Sequence, residues 1–276
     1  MAIEREIKLS LSPSLLGQLS ASLKQSYGTP VCLDLSNTYY DSPDQQLAKA
    51  KMALRVRKHP DGYIQTFKRP LPGDTQGFER LEDEWQLSQP QLQPELLTQL
   101  EGWQEQWPIR ELQPQFSTEF VRQQWQIEQP EGHWELALDQ GQIQANGQTL
   151  LICELEVELK AGEMSAMQSF VGQWIQQWPL MLFPLSKAAR AQALLAGTDP
   201  WASQPMNQGL LQLVRGYYQL QLKPNRQQLD AWLQTLARFA PAELLIEAQG
   251  FAQQQDLAGY LESPTFASWL WQQEVR

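Results

Sequence analysis

The feature that most constrains this chain is a period-2 alternation in which one face of each segment is charged and the other apolar. In an extended strand, residues i, i+2 and i+4 point the same way. Glu4, Glu6 and Lys8 therefore share a face, with Ile3, Ile7 and Leu9 on the other. Arg55 and Arg57 alternate with Leu54 and Val56, and Arg80, Glu82 and Glu84 alternate with Leu81 and Trp85. Glu135, Ala137 and Asp139 stand against Trp134, Leu136 and Leu138, and Glu154, Glu156 and Glu158 against Leu155, Val157 and Leu159. The pattern predicts strands over 2–10, 34–40, 52–59, 62–69, 77–87, 115–127, 133–139, 142–147 and 150–160. Turn signals bound them at Pro60-Asp61-Gly62, Pro72-Gly73-Asp74 and Pro130-Glu131-Gly132.

An ordinary two-sided sheet turns its charged face to water. Here the charges are sorted, with acids near 4–6 and 154–158 and bases near 55–57. Like charges in direct i, i+2 succession repel, and an exposed face has no need of them. A closed or nearly closed antiparallel barrel with a polar lumen accounts for both features, its apolar outer face covered by helices. One such helix is predicted over 12–26, with Ser12 as N-cap, Pro13 at the first position and Leu15, Leu16, Leu19 and Leu23 on one side. A second covers 163–178 with Met167, Phe170, Val171 and Trp174 on its apolar side, and a third runs from Ser186 to Leu195 and stops at Gly197. Beyond Pro200 the period becomes helical: Leu210, Leu213, Val214 and Tyr217, then Leu229, Trp232, Leu233 and Leu236, then Leu244, Leu245 and Ala248. Asn225 and Pro241 mark turns, and Ser263-Pro264 introduces a last helix carrying Trp269 and Leu270. This tail is expected to form a small antiparallel bundle.

A lumen that holds both signs of charge has evident chemistry. Carboxylate clusters suit hard divalent cations, and arginine and lysine clusters suit phosphate oxygens. A metal–polyphosphate complex needs both. The net charge of −10 argues against nucleic acid and anionic membranes as partners. It does not argue against a small polyanionic substrate, because the bases are collected on inward faces beside the acids. No stretch approaches the ~20 apolar residues of a membrane span. The opening Met1-Ala2-Ile3-Glu4-Arg5-Glu6 lacks the form of a signal peptide, and Cys32 and Cys153 make no disulfide framework, so a reducing cytoplasm is the expected compartment. No Walker-type glycine loop is present. His59 and His133 sit beside turns and are read as surface residues, the two cysteines as small packing residues, and the Trp103-x-x-x-Trp107 pair as core or helix-face.

Several of these motifs, in order, resemble one family. Glu4-x-Glu6-x-Lys8 is similar to the E-x-E-x-K signature of CYTH proteins, the triphosphate tunnel metalloenzymes. Tyr39-Tyr40-Asp41-Ser42-Pro43-Asp44, Leu47 and Ala53-Leu54-Arg55-Val56-Arg57 resemble its "YYDTPD…L…ALRVR" block. Ile64-Gln65-Thr66-Phe67-Lys68, Arg80-Leu81-Glu82-Asp83-Glu84, Arg122, Leu138-Asp139-Gln140-Gly141, Glu154-Leu155-Glu156-Val157-Glu158 and Ser186-Lys187-Ala188-Ala189-Arg190 resemble the later strands and the closing helix.

The resemblance implies an α+β fold: an eight-stranded antiparallel β-barrel, the triphosphate tunnel, with flanking helices over 1–198 and a C-terminal helical region over 199–276. It implies metal-dependent hydrolysis of inorganic triphosphate to pyrophosphate and phosphate, with Mg²⁺ or Mn²⁺ as cofactor. Glu4, Glu6, Glu154 and Glu156 would be metal ligands, with Asp139 as ligand or support; Lys8, Arg55, Arg57, Lys68, Arg80, Arg122, Lys187 and Arg190 would cradle the phosphates. Glu82 would pair with these bases or position water, and a structural role for Arg190 is an equal reading. Glu84 and Glu158, nearer strand ends, are left outside the core site. Thiamine triphosphate and ATP, the latter giving an adenylate cyclase, remain rival substrates, and a non-catalytic polyphosphate or nucleotide sensor is a rival of another class. The tail is similar to a shortened CHAD domain but has no histidine, and five bases (Arg215, Lys223, Arg226, Arg238, Arg276) stand against seven acids. Docking on the barrel or self-association into a homodimer is its plainer role.

Overall fold

The structure, a computed structural model, describes residues 2–71, 79–100, 111–201, 206–222, 225–254 and 256–274. The expected turn at 72–74 and the Trp103/Trp107 pair lie outside the described residues. Eight long strands form the barrel: β1 (Ala2–Ser10), β2 (Val31–Asp41), β3 (Ala53–His59), β4 (Gly62–Pro70), β5 (Glu79–Leu87), β6 (Gln113–Gln129), β7 (Gly132–Ala145) and β8 (Gln148–Gly162). They pair antiparallel in the order β5-β4-β3-β2-β6-β7-β8-β1, and β1 also pairs with β5, which closes the sheet. A two-residue strand, β9 (Met181–Leu182), adds to the end of β1.

The segments 133–139 and 142–147 are one continuous strand rather than two. Gln140-Gly141 reads as a break, but Gly141 lies where β6 presses closest. A Cβ there would meet the Glu119 carbonyl oxygen at 2.1 Å and Phe120 Cα at 2.5 Å. Glycine marks a close backbone approach inside the strand, not its end.

Helix α1 (Leu16–Tyr27), entered through a short 3-10 turn at Pro13–Leu15, and α3 (Met164–Gln177) cover part of the outer face. Ser12 makes no side-chain cap to that turn; it pairs with Ser14 instead. Leu16, Leu19 and Leu23 of α1 and Met167, Phe170, Val171 and Ile175 of α3 share one core with Ile7, Leu9, Trp134, Leu136, Leu155 and Val157. These are the apolar partners of the alternating charges, so burial of one face forces the charged face inward. The four-residue α2 (Gln46–Lys49) follows β2 and is held by Asp41, whose carboxylate accepts from the Leu47 and Ala48 amides, each at 2.9 Å.

Helix α4 (Lys187–Ala196) is capped by Ser186, which accepts from the Ala189 amide at 3.1 Å, and ends at left-handed Gly197. Its Ala188 and Ala191 pack with inward-facing Leu35, Phe120, Ile143 and Ile152. Helix α4 therefore plugs one end of the barrel with apolar contacts, leaving the polar lumen above it.

The tail is helical, as expected: α5 (Gln208–Leu222), α6 (Arg226–Phe239), α7 (Ala242–Gln253), α8 (Leu257–Glu262) and α9 (Thr265–Glu274). Its core includes Leu213, Tyr217, Leu229, Trp232, Leu244 and Phe266, together with Met181, Phe183 and Leu185 from the stretch before α4. On the other side Ala267 and Trp271 of α9 join the core under α3, and the Ser268 hydroxyl donates to the Ile175 carbonyl at 3.1 Å. The tail thus docks on the barrel. Among the described residues no helix is long and apolar enough to cross a membrane.

Candidate active site

The ladder register stacks the inward residues of β6, β7, β8 and β1 in rows. Arg122, Asp139, Glu154 and Ser10 form the row nearest α4; Gln124, Ala137, Glu156 and Lys8 form the next; Gln126, Glu135, Glu158 and Glu6 form the third. On the other wall Arg55 faces Tyr39 and Thr66, Arg57 faces Asn37, and Lys68 faces Glu82. Arg80 faces Glu4 across the closing β1–β5 pair. The two walls enclose a cavity of about 800 Å³.

Glu4, Glu6, Lys8, Arg55, Arg57, Lys68, Arg80, Glu82, Arg122, Glu156 and Lys187 all line this cavity. Asp139, Glu154 and Arg190 do not: they lie behind the lining, fully buried or nearly so. Lys187 reaches up from α4 with Nζ 2.6 Å from Asp139, 2.5 Å from Glu154 and 3.0 Å from Glu156. Arg122 donates to both Asp139 oxygens at 2.8 Å and to Glu156 at 2.5 Å, and Arg190 donates to Glu154. Lys8 lies 2.9 Å from both Glu6 and Glu156. Lys68 holds the two Glu4 oxygens at 2.5 and 2.6 Å.

These pairs account for most of the charge, and the pKa shifts show where it is left over. Burial alone would lower Lys8, Lys68, Arg122 and Lys187, yet their carboxylate partners hold all four above their ordinary values. Glu156 stays well below the carboxylate range despite burial, because Lys187, Lys8 and Arg122 surround it. Arg57 behaves oppositely. Burial, then Arg55 and Arg122, pull it down to about 9. Among the described residues it donates to Asn37 Oδ1, at 2.8 Å, and beside it Arg55 keeps a buried Nε with no hydrogen-bond partner among them. That corner carries surplus positive charge and an unused donor. At the opposite extreme Glu158 rises to about 7: burial, with Glu4 and Glu135 nearby, outweighs its bond to Lys160.

The lumen therefore has two poles. Arg55 and Arg57 fit an anion, arginine's fork matching phosphoryl oxygens. The carboxylates of Glu4, Glu6, Glu135 and Glu158 supply the hard oxygen donors that a divalent cation takes. Asp139, Glu154 and Glu156 also bring carboxylate oxygens within 4.8 Å of one another, with Lys187 Nζ among them. The donor set fits a hard divalent metal.

Sequence reading left out Glu84, Glu135, Glu158, Lys160 and Tyr39, all of which line the cavity. Glu135 and Glu158 carried the same alternation signal as their neighbours; their place opposite Glu6 depends on barrel stagger. His59 stands at the cavity edge, half-buried and 3.4 Å from Asp61, not out on the surface. Cys153 is buried, whereas Cys32 is exposed near the start of β2, where the alternation turns it out of the barrel wall, and so is not a packing residue.

Residues 2–191 match the CYTH domain. The chain belongs to the CYTH domain family. Over 201 residues it is 35% identical to the inorganic triphosphatase of Haemophilus influenzae, a match covering 70% of this chain and 55% of that protein. The CYTH chain thus spans about half the length of that curated relative. A solved structure of a Hippeastrum protein, described as an adenylyl cyclase candidate with a dominant triphosphatase activity, superposes with a TM-score of 0.52. It is 20% identical, and the match covers 71% of this chain and 97% of that one. That likeness is one of fold: the two chains share the barrel architecture.

Proposed function

We propose that this CYTH protein hydrolyses inorganic triphosphate to pyrophosphate and phosphate inside the barrel, with Mg²⁺ or Mn²⁺ as cofactor. The observation that carries this reading is the polarity of a single cavity of about 800 Å³, with Arg57, whose charge burial and the neighbouring Arg55 and Arg122 disfavour, on one wall and a cluster of carboxylates around Glu4, Glu6 and Glu158 on another. The 35% identity to an inorganic triphosphatase supports the choice of substrate.

Arg55, Arg57, Arg122, Arg80 and Lys8 bind and orient the phosphoryl oxygens, and their charges stabilise the negative charge that grows on those oxygens as the bridge breaks. Lys68 moves from Glu4 to the substrate, which frees the Glu4 carboxylate. Glu4, Glu6 and Glu156 would hold the cation. The cation supplies charge neutralisation and lowers the pKa of an attacking water. Glu82, 3.4 Å from Lys68 and 3.9 Å from Arg55, keeps these bases aimed and stands where water is to be oriented. Asp139 and Glu154 act from behind the lining by fixing Arg122, Lys187 and Arg190. We place the catalytic unit in residues 1–198, the helical region in 199–276, and the protein in the cytoplasm.

A phosphate-release panel tests the reading: inorganic triphosphate, pyrophosphate, ATP and thiamine triphosphate, each with Mg²⁺, Mn²⁺ or EDTA. Release from inorganic triphosphate, abolished by EDTA, is the expected result. Equal rates on ATP would overturn the substrate assignment, and triphosphate binding without any release would leave a sensor.

A further inference from the structure

The tail is not merely docked beside the barrel; it touches the residues that hold the floor of the lumen. Tyr218 on α5 stacks on Phe183, centroids 4.5 Å apart at 29°. The Arg190 guanidinium lies over the other partner of that stack, 5.2 Å from the Phe183 ring centre. The Tyr218 hydroxyl also faces this guanidinium and favours its charged form. One turn further along α5, buried Gln221 accepts from the Ser10 hydroxyl at 3.0 Å. Ser10 is the β1 residue directly opposite Glu154. Arg190 in turn binds Glu154, and Glu154 shares Lys187 with Asp139 and Glu156. Helix α5 therefore meets the Glu154 site from two sides, through Tyr218–Arg190 and through Gln221–Ser10.

We propose that the C-terminal helical region is a working part of the active site, with Tyr218 a positioning residue that acts through Arg190 and Glu154 to aim Lys187 at the substrate. This rests on the triphosphatase reading given above. The physical reason is that Lys187 has three carboxylates to choose among. A Glu154 fixed by Arg190 holds the ammonium in one place among the three, whereas a loose one lets it shift between Asp139, Glu154 and Glu156. Phe183 and Tyr218 give Arg190 one orientation, because a guanidinium stacks on an aromatic face.

The test uses the full chain and Tyr218→Phe, which keeps the stack and deletes only the hydroxyl. With inorganic triphosphate and Mg²⁺, we expect kcat to fall about fivefold with KM within about twofold and the unfolding midpoint unchanged, since the hydroxyl that favours the charged guanidinium is lost while the stack on Phe183, Arg55 and Arg57 are untouched. Arg190→Lys is expected to lower kcat further than Tyr218→Phe alone. The double variant Tyr218→Phe/Arg190→Lys should resemble Arg190→Lys, whereas Tyr218→Phe with Arg80→Lys, across the lumen, should multiply independently. Exposed Ile246→Ser on α7 serves as a tail control with parent kinetics. A Tyr218→Phe protein with parent kcat, or effects that multiply with those of Arg190→Lys, would overturn the proposal. Calorimetric binding of triphosphate to the metal-free protein separates the two readings. If the parent binds but does not hydrolyse, the triphosphatase reading falls and the positioning role is read as weaker binding by Tyr218→Phe. If the parent does neither, both fall.

Discussion

Lys187, in the first turn of α4, stands 2.6 Å from Asp139 on β7 and 2.5 Å from Glu154 on β8, so one ammonium group ties the plug helix to two strands of the barrel. Removing it leaves three carboxylates that lie within 4.8 Å of one another to the remaining cations Arg122, Arg190 and Lys8, with one positive charge fewer among them. Breaking a buried ion pair by deleting one partner costs about 3–5 kcal/mol. Lys187→Met keeps most of the side-chain volume and should lower the urea unfolding free energy by that amount, with triphosphate hydrolysis lost as well. A loss under about 1 kcal/mol would show that the plug is held by its apolar contacts alone.

Arg57 predicts the opposite sign. Its pKa is pulled down to about 9 by burial beside Arg55 and Arg122, so its charge is a burden in the substrate-free protein. Arg57→Met should leave the free protein as stable as the parent or more so. It should weaken triphosphate by about 10-fold or more, since a bidentate contact to phosphoryl oxygen is lost. Thermal shifts with and without triphosphate read both effects: the variant should start as high as the parent and gain less. A variant that melts well below the parent without ligand would contradict this account of Arg57.

Legibility in the sequence followed the same physics. The side-chain period of a strand is fixed by the backbone, so alternation alone put Glu4, Glu6, Lys8, Arg55, Arg57, Glu82 and Glu156 on the inward face. Depth along the tunnel is set by tertiary contact. Asp139 and Glu154 share a face with Glu135 and Glu156 yet sit behind the lining, because α4 enters at their end and brings Lys187 and Arg190 over them. Glu158 looked peripheral as a strand-end residue, but β1 pairs so that Glu6 meets it directly. The contact of Tyr218 with Arg190 had no signal in either segment, since each follows its own helical period and only docking joins them.

Glu4 is held by Lys68 in the substrate-free protein, and the proposed reaction requires that pair to open. Glu4→Gln keeps the shape and removes the charge. Turnover with Mg²⁺ should fall by on the order of 10²-fold, the usual loss when one preorganised electrostatic group at a reacting centre is deleted. Triphosphate binding measured without metal should hold or tighten, because a carboxylate that repels phosphate has gone and Lys68 is released. Parent turnover in the Glu4→Gln protein would remove Glu4 from the metal-binding set.

The two cysteines should differ sharply toward a thiol reagent. Cys32 is exposed on β2, while Cys153 is buried on the outer face of β8, where burial and then Glu154 push its thiol up to about 12. Because the thiolate is the reactive form, Cys153 is protected twice, by access and by protonation. At pH 8 the native protein should take up one equivalent of reagent quickly, and a second only at the rate of unfolding. Fast double labelling of the native state would show that the α1–α3 cover over β8 opens readily.

Gly141 tests the continuity of β7. The strand passes β6 so closely there that an added methyl would sit 2.1 Å from the Glu119 carbonyl oxygen and 2.5 Å from Phe120 Cα, both backbone atoms that no rotamer change can move. Gly141→Ala must therefore push the two strands apart at the level of Phe120, the ring that Lys187 Nζ approaches to 4.9 Å. Overpacking of this kind costs about 1–3 kcal/mol. The expected result is a lowered urea midpoint together with reduced triphosphate turnover, since the displaced ring lies next to the lumen floor. If residues 133–139 and 142–147 were separate strands joined at a turn, alanine at 141 would be tolerated in both measurements.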